Sequence, residues 1–238
     1  MTEILNNHRA FGKMMIAVCF LLWAGAVFVL SSAQADAEDV KDPDRIYQAV
    51  LEPVNTRVTG RYPAGSGSFK IKGDKLYVNI VAQDFEPGQT VMMHFHGFED
   101  AEEEGLTPTF ENMDANNDGV VDVVEIDNTV GMTMVPFNGD PAEMNLKGKG
   151  YPKASKDGWV TYTKTVDLEE LRAQFKKKFG SDKLHLDRRH LILHGVPQST
   201  KLPGSAESVL GAPAHATLPV SFGEIEMVYG GTQKNPGM

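Results

Sequence analysis

Cysteine is almost absent: the one residue, Cys19, lies inside an apolar run near the N-terminus. Without a disulfide to draw on, the rest of the chain must be held by core packing, bound metal or size. Also missing are a Gly-x-Ser-x-Gly elbow, a phosphate-cradling glycine loop and a nucleophilic cysteine beyond that run. The common covalent and phosphoryl-transfer chemistries therefore lack their residues. Positive charge is scarce as well, with 23 Lys and Arg against 32 Asp and Glu and a net charge of −9. An acidic surface argues against nucleic acid or anionic lipid as a partner and suits divalent metal ions. No internal repeat is present, and the acidic stretch from Glu99 to Glu104 is the one biased segment.

What is there begins with an export signal. Arg9 and Lys13 precede the apolar run Met14–Leu30, and Ala33 and Ala35 follow as an Ala-x-Ala cleavage site. This is the layout of a secretory signal peptide spanning residues 1–35. Its removal takes away Arg9, Lys13 and Glu3, so a net charge of −9 becomes −10. The run of 17 apolar residues also reaches the lower limit of a spanning helix, which leaves an uncleaved membrane anchor through residues 14–30 as the alternative. In both cases the basic flank stays cytoplasmic and the folded part lies outside, either periplasmic or secreted or anchored facing outward. The remaining length, about 200 residues, buries one adequate core. It divides into an N-terminal segment 36–65, one domain at 66–230 and a tail at 231–238.

Two-residue alternation dominates that domain. Phe69 and Ile71, then Leu76, Val78 and Ile80, alternate with polar residues across the turn Lys72-Gly73-Asp74-Lys75, which predicts a hairpin. Further strands are expected at 90–96, 132–137, 158–166, 190–194, 216–222 and 224–229. One amphipathic helix stands out, with Leu168, Leu171, Phe175 and Phe179 at helical spacing. Asp167 caps it, Lys176, Lys177 and Lys178 close it, and Gly180 stops it. Short strands with long connections at 100–130, 138–157 and 197–213 indicate a mainly β fold, a Greek-key β-sandwich or barrel.

The segment Asp114 to Glu125 fills every position of a twelve-residue EF-hand loop. Asp114, Asn116 and Asp118 supply oxygens at positions one, three and five, and Gly119 makes the turn at six. Val120 offers its carbonyl at seven, Val121 packs inward at eight, Asp122 acts directly or through water at nine, and Glu125 closes the shell at twelve. Calcium is the expected ion, because it takes six to eight hard oxygen ligands and offsets the repulsion of four crowded carboxylates. Pro108 precedes the loop, and the β-branched segment 126–131 after it predicts no full exiting helix. A single loop of this kind outside the cytoplasm reads as a structural clamp binding calcium weakly, on the order of 10⁻⁵ to 10⁻³ M.

Histidines make the second constellation. His94 and His96 share one face of a strand, about 7 Å apart along it. His190 and His194 flank Leu191-Ile192-Leu193, and His215 precedes another strand. Met92-Met93-His94-Phe95-His96-Gly97 resembles the His-x-His strand of copper/zinc superoxide dismutases and of the related CHRD domains. Arg189 to Gly195 is similar to the later strand ending in the fourth copper histidine, and Leu218 to Ile225 resembles the closing strand. Residues 67–84 are similar to the opening hairpin of the same group. The resemblance spans two-thirds of the exported part and implies His94, His96 and His194 as copper or zinc ligands. His215, or one of Met92, Met132 and Met134, would complete the set. The chain departs from the dismutases between His96 and His185, where it has no histidine: the bridging ligand and the zinc loop are missing, and the calcium loop stands in their place. The expected function is thus that of an exported calcium-binding β protein without catalysis, the alternative being a copper-binding redox protein.

Overall fold

The computed structural model describes residues 45–99, 105 and 110–230. The signal peptide or anchor at 1–35, the acidic run Glu102–Glu104 and the tail 231–238 lie outside the described residues. Within the described residues no helix is long and apolar enough to cross a membrane.

The fold is mainly β, as the alternation requires. Its strands are β1 (Arg45–Pro53), β2 (Ala64–Lys72), β3 (Lys75–Gln83), β4 (Met92–Gly97), β5 (Met132–Pro136), β6 (Val160–Asp167), β7 (His190–His194) and β8 (Pro219–Gly230). Every pairing is antiparallel. A sandwich or a barrel was expected, and the pairing links all eight strands into one sheet in the order β5-β4-β7-β8-β1-β2-β3-β6. The sheet curls into a half-barrel, and β8 is the joint, bonded to β7 on one side and β1 on the other. The strands expected at 216–222 and 224–229 merge into β8, and Ala214–Thr217 forms a short helix ahead of it.

β1 lies inside the segment set apart as 36–65, so the sheet begins well before residue 66. Tyr47, Ala49 and Leu51 point to the core, but Ile46 and the exposed Val50 sit on the opposite face and blur the alternation. One face of the sheet carries the main core, in which the rings of Phe69, Phe95 and Phe137 meet at centroid distances of 4.6 to 5.8 Å. The helix Leu168–Phe179 closes this core with Leu168, Leu171 and Phe175 buried. Each such side chain contributes about 1.5–3 kcal/mol. Asp167 caps the helix, accepting from Glu170 N at 3.0 Å, and also pairs with Lys75 at 2.8 Å.

The other face of β4, β7 and β8 is covered by a smaller apolar cluster: Val54, Met113, Val121, Ile126, Val130 and Ile192. Four of these belong to the region around the acidic loop, which therefore packs on the sheet face that also carries the histidines.

Candidate metal centre

Strand periodicity places the histidines. On β4, Met93 and Phe95 enter the main core, so His94 and His96 point to the opposite face. On β7, Leu191 and Leu193 face the core, so His190, Ile192 and His194 share the histidine face. The register sets Met92 opposite His194, His94 opposite Ile192 and His96 opposite His190, so His94 and His194 are diagonal neighbours, and the ring of His96 reaches along the same face to His194. Ring centroids are 5.1 Å apart for His94 and His194 and 5.3 Å for His96 and His194. One ligand nitrogen from each of the three falls within 4.8 Å of the others, and all three side chains are buried. This cluster is able to hold a metal ion.

The hydrogen bonds decide which nitrogens are free. His96 Nδ1 lies 3.1 Å from Gly131 O, and His194 Nδ1 lies 2.9 Å from Thr217 O. A carbonyl only accepts, so both rings carry their proton on Nδ1 and present a lone pair at Nε2. Those two Nε2 atoms are 3.3 Å apart. For His94 the tautomer is reversed. Tyr151 donates its hydroxyl to Leu146 O at 3.1 Å and so accepts from His94 Nε2 at 2.9 Å. That leaves His94 Nδ1 as the lone pair, buried and without a partner. Two lone pairs thus meet at His96 Nε2 and His194 Nε2, where the Thr133 hydroxyl, 3.3 Å from His96 Nε2, is able to offer a proton. The ring of His94 lies alongside with its own unpaired Nδ1.

A proton is a poor cation for this space. Burial, followed by the neighbouring histidines, holds His94 and His96 well below the ordinary imidazole range, and burial holds His194 at about 4. Neutral imidazole is also the form that ligates metal.

His215 does not join the cluster. Its Nε2 donates to Thr200 O at 2.8 Å, which ties it to the connection before β8. Among the methionines, Met134 is fully buried in the main core and Met132 is part-exposed. Met92 alone lines the cleft beside the histidines, a space of about 280 Å³ walled also by Val123, Leu146, Tyr151 and Leu210. A larger groove of about 750 Å³ is lined by Arg61, Asp84 and Glu86 and does not reach the histidines. Its Arg61 is already paired with both carboxylates.

The acidic loop is ordered by its own carboxylates. Asp114 accepts from Asp118 N and Gly119 N at 3.0 Å each, and Asn116 accepts from Asp118 N at 2.8 Å. Asp118 accepts from Val120 N at 2.8 Å, with Ser205 on its other oxygen. Glu125 reaches back to accept from Asn116 N at 3.2 Å and Asp122 N at 3.0 Å. Gly119 has a φ of 86°, which a side chain would strain. Asp122 serves as a helix cap, accepting from Val124 N and Glu125 N on one oxygen and Glu207 N on the other. It caps a helix the sequence did not lead one to expect, Val123–Val130, preceded by the single turn Phe110–Met113. The capping box and the burial of Ile126 and Val130 outweigh the β-branched composition. Val121 is buried, as position eight requires.

No protein-family model and no curated protein matches the chain. Its geometry therefore has to carry the reading.

Residues beyond the motifs complete the site. Tyr151, Gly131 and Thr217 set the histidine tautomers, yet nothing local in the sequence marks them. Asn55 does the same for the loop: its carboxamide accepts from Val121 N at 2.8 Å and donates to Val121 O at 2.7 Å and Pro219 O at 2.9 Å. His190 is buried beside the site with both ring nitrogens unpaired, and burial holds it at about 4.

A pH dependence follows. In the unfolded chain these histidines titrate near 6.5, so between 6.5 and 4 the unfolded state binds more protons than the folded one. Stability is complete above 6.5 and falls as pH drops through that window. The cost is on the order of 3 kcal/mol for each histidine held near 4. Asp127, raised to about 7 by burial and then the Asp122 charge, opposes this, since its folded form keeps a proton the unfolded chain loses. Glu125, also raised by burial, acts in the same sense as Asp127, and four lowered histidines outweigh these two raised carboxyls. Urea unfolding of the metal-free protein is expected to show stability dropping by several kcal/mol from pH 6.5 to pH 4.5. A flat profile would count against neutral buried rings.

Proposed function

We propose that this protein holds one copper or zinc ion at His94, His96 and His194, outside the cytoplasm, on a β fold stiffened by a calcium loop. The observation that carries the reading is the 3.3 Å approach of His96 Nε2 and His194 Nε2 while both Nδ1 protons are committed to carbonyls. Two lone pairs that close repel unless a cation lies between them and the third nitrogen. Three imidazoles with an open fourth side suit zinc or copper in preference to calcium or magnesium. Bound copper would supply a change of oxidation state, and bound zinc a Lewis acid. His94, His96 and His194 would hold the ion, Gly131 O and Thr217 O fix two tautomers, and Tyr151 fixes the third.

The resemblance to the dismutase and CHRD group agrees with this ligand set, and a Greek-key relationship to that group is part of the proposal. Titration of metal-stripped protein with zinc or copper(II) is expected to reach one tight equivalent per chain, lost in His96→Ala. A His96→Ala protein with unchanged stoichiometry would refute the site.

The loop 114–125 supports a second, compatible reading, calcium binding. Asp114, Asn116, Asp118, the Val120 carbonyl and Glu125 are the donors, and Asp122 takes part through water or as the cap. Its favouring observation is the way Glu125 already closes over the loop onto Asn116 N. Calorimetric titration with calcium checks it.

A further inference from the structure

We propose that Asp127 is a positioning residue for His96, and that calcium seated in the 114–125 loop sets it, so that the two metals bind with positive coupling. The inference rests on the histidine and calcium readings above.

The helix Val123–Val130 joins the two sites over a length of about 12 Å. Its first turn holds Glu125, which takes backbone amides at 3.2 and 3.0 Å where a seated calcium would draw both oxygens onto itself. Two residues on, Asp127 Oδ1 is buried with no hydrogen-bond partner, and it lies 3.7 Å from His96 Nδ1. That separation is too long for a hydrogen bond. The helix then ends at Gly131, whose carbonyl accepts from the same Nδ1 at 3.1 Å.

Both ends of this segment are fixed. A Cβ on Gly131 would fall 2.1 Å from the Gly97 carbonyl carbon, so that end is pressed against β4. At the other end the Asn55 carboxamide grips both backbone groups of Val121. A pull on Glu125 between two anchored ends turns the helix about its axis instead of translating it, and Asp127 is the polar side chain that turning moves over His96.

The direction of coupling follows from the stranded oxygen. Lengthening the contact leaves Oδ1 unpaired and buried, whereas a shift of less than 1 Å brings it into hydrogen-bond range of the Nδ1 proton. A carboxylate on the far nitrogen orients a ligating imidazole and makes it a better donor. Such partners are worth about 10–100-fold in metal affinity.

The test is zinc titration of the metal-stripped full-length protein, with and without millimolar calcium. Calcium is expected to tighten zinc binding about tenfold, and by linkage zinc should tighten calcium by the same factor. In Asp127→Ala the ratio should fall to within about twofold while each metal still binds. Because that variant could lose stability, copper(II)-loaded wild-type protein gives a second readout: its paramagnetic resonance spectrum should change when calcium is added. Equal zinc affinity with and without calcium, or full coupling in Asp127→Ala, overturns the proposal while leaving both sites standing. Absence of zinc binding, or of calcium binding, in wild-type protein would instead defeat the readings beneath it.

Discussion

Replacing Asn55 is expected to cost about 4 kcal/mol of folding stability. Three buried backbone groups depend on its carboxamide: Val121 N, Val121 O and Pro219 O. Each one stranded costs about 1–3 kcal/mol, with partial relief where water enters. Asn55 also stands at φ 58°, a left-handed conformation that asparagine tolerates and alanine does not. Two variants separate these causes. Asn55→Gly keeps the backbone at ease and loses the carboxamide, whereas Asn55→Asp keeps an acceptor for Val121 N and loses both donors. Urea unfolding in saturating calcium should find both far below wild type, with Asn55→Ala lowest. An Asn55→Gly protein within about 1 kcal/mol of wild type would show that the carboxamide does not hold the loop.

Calcium should raise the thermal midpoint strongly. A ligand at a hundred times its dissociation constant stabilises the folded state by about 2.7 kcal/mol. For a domain of this size that is about 5–11 °C. The physical source is the crowding of Asp114, Asp118 and Glu125, whose mutual repulsion a bound cation would offset while the loop amides already hold them in place. Glu125→Gln should abolish the gain, since one carboxamide oxygen cannot replace a bidentate carboxylate. The variant also sets an amide N–H against one of the two backbone amides that the carboxylate accepts from. The metal-free variant should therefore melt below the metal-free wild type, and the calcium-induced shift is the quantity compared. Scanning calorimetry of both proteins, stripped and calcium-loaded, measures this. An equal calcium shift in the variant would remove Glu125 from the site.

The local parts of this structure were legible in the sequence. The hairpin around Gly73, the helix from Leu168 to Phe179 with its Asp167 cap, and the spacing of His94 and His96 are all set by neighbours in the chain. The third histidine of the cluster, His194, was readable through the resemblance of its strand. β1 was not readable, because Ile46 and Val50 place apolar residues on both faces. The helix after the acidic loop was missed because its composition favours strands, while its capping box and buried face prevail in context. Asn55 and Tyr151 were beyond reach for another reason. Their partners lie 66 and 57 positions away, and only the curled sheet brings them together. The same applies to His215, whose place before β8 suggested a ligand but whose ring is taken by Thr200.

The three histidines are at most 4% exposed, behind a cleft whose walls come from the 138–157 and 197–217 connections as well as from the helix above the loop. An ion bound at the three histidines would have to enter and leave through this cleft, which Tyr151 and Leu210 help to line. Exchange of such an ion would wait on how often those connections lift, an opening equilibrium set by loop packing more than by bond strength at the ion. Two proteins with equal affinity could then differ widely in how long they keep a metal, and the residence time of an ion held here would be set in the loops around residues 146 and 210.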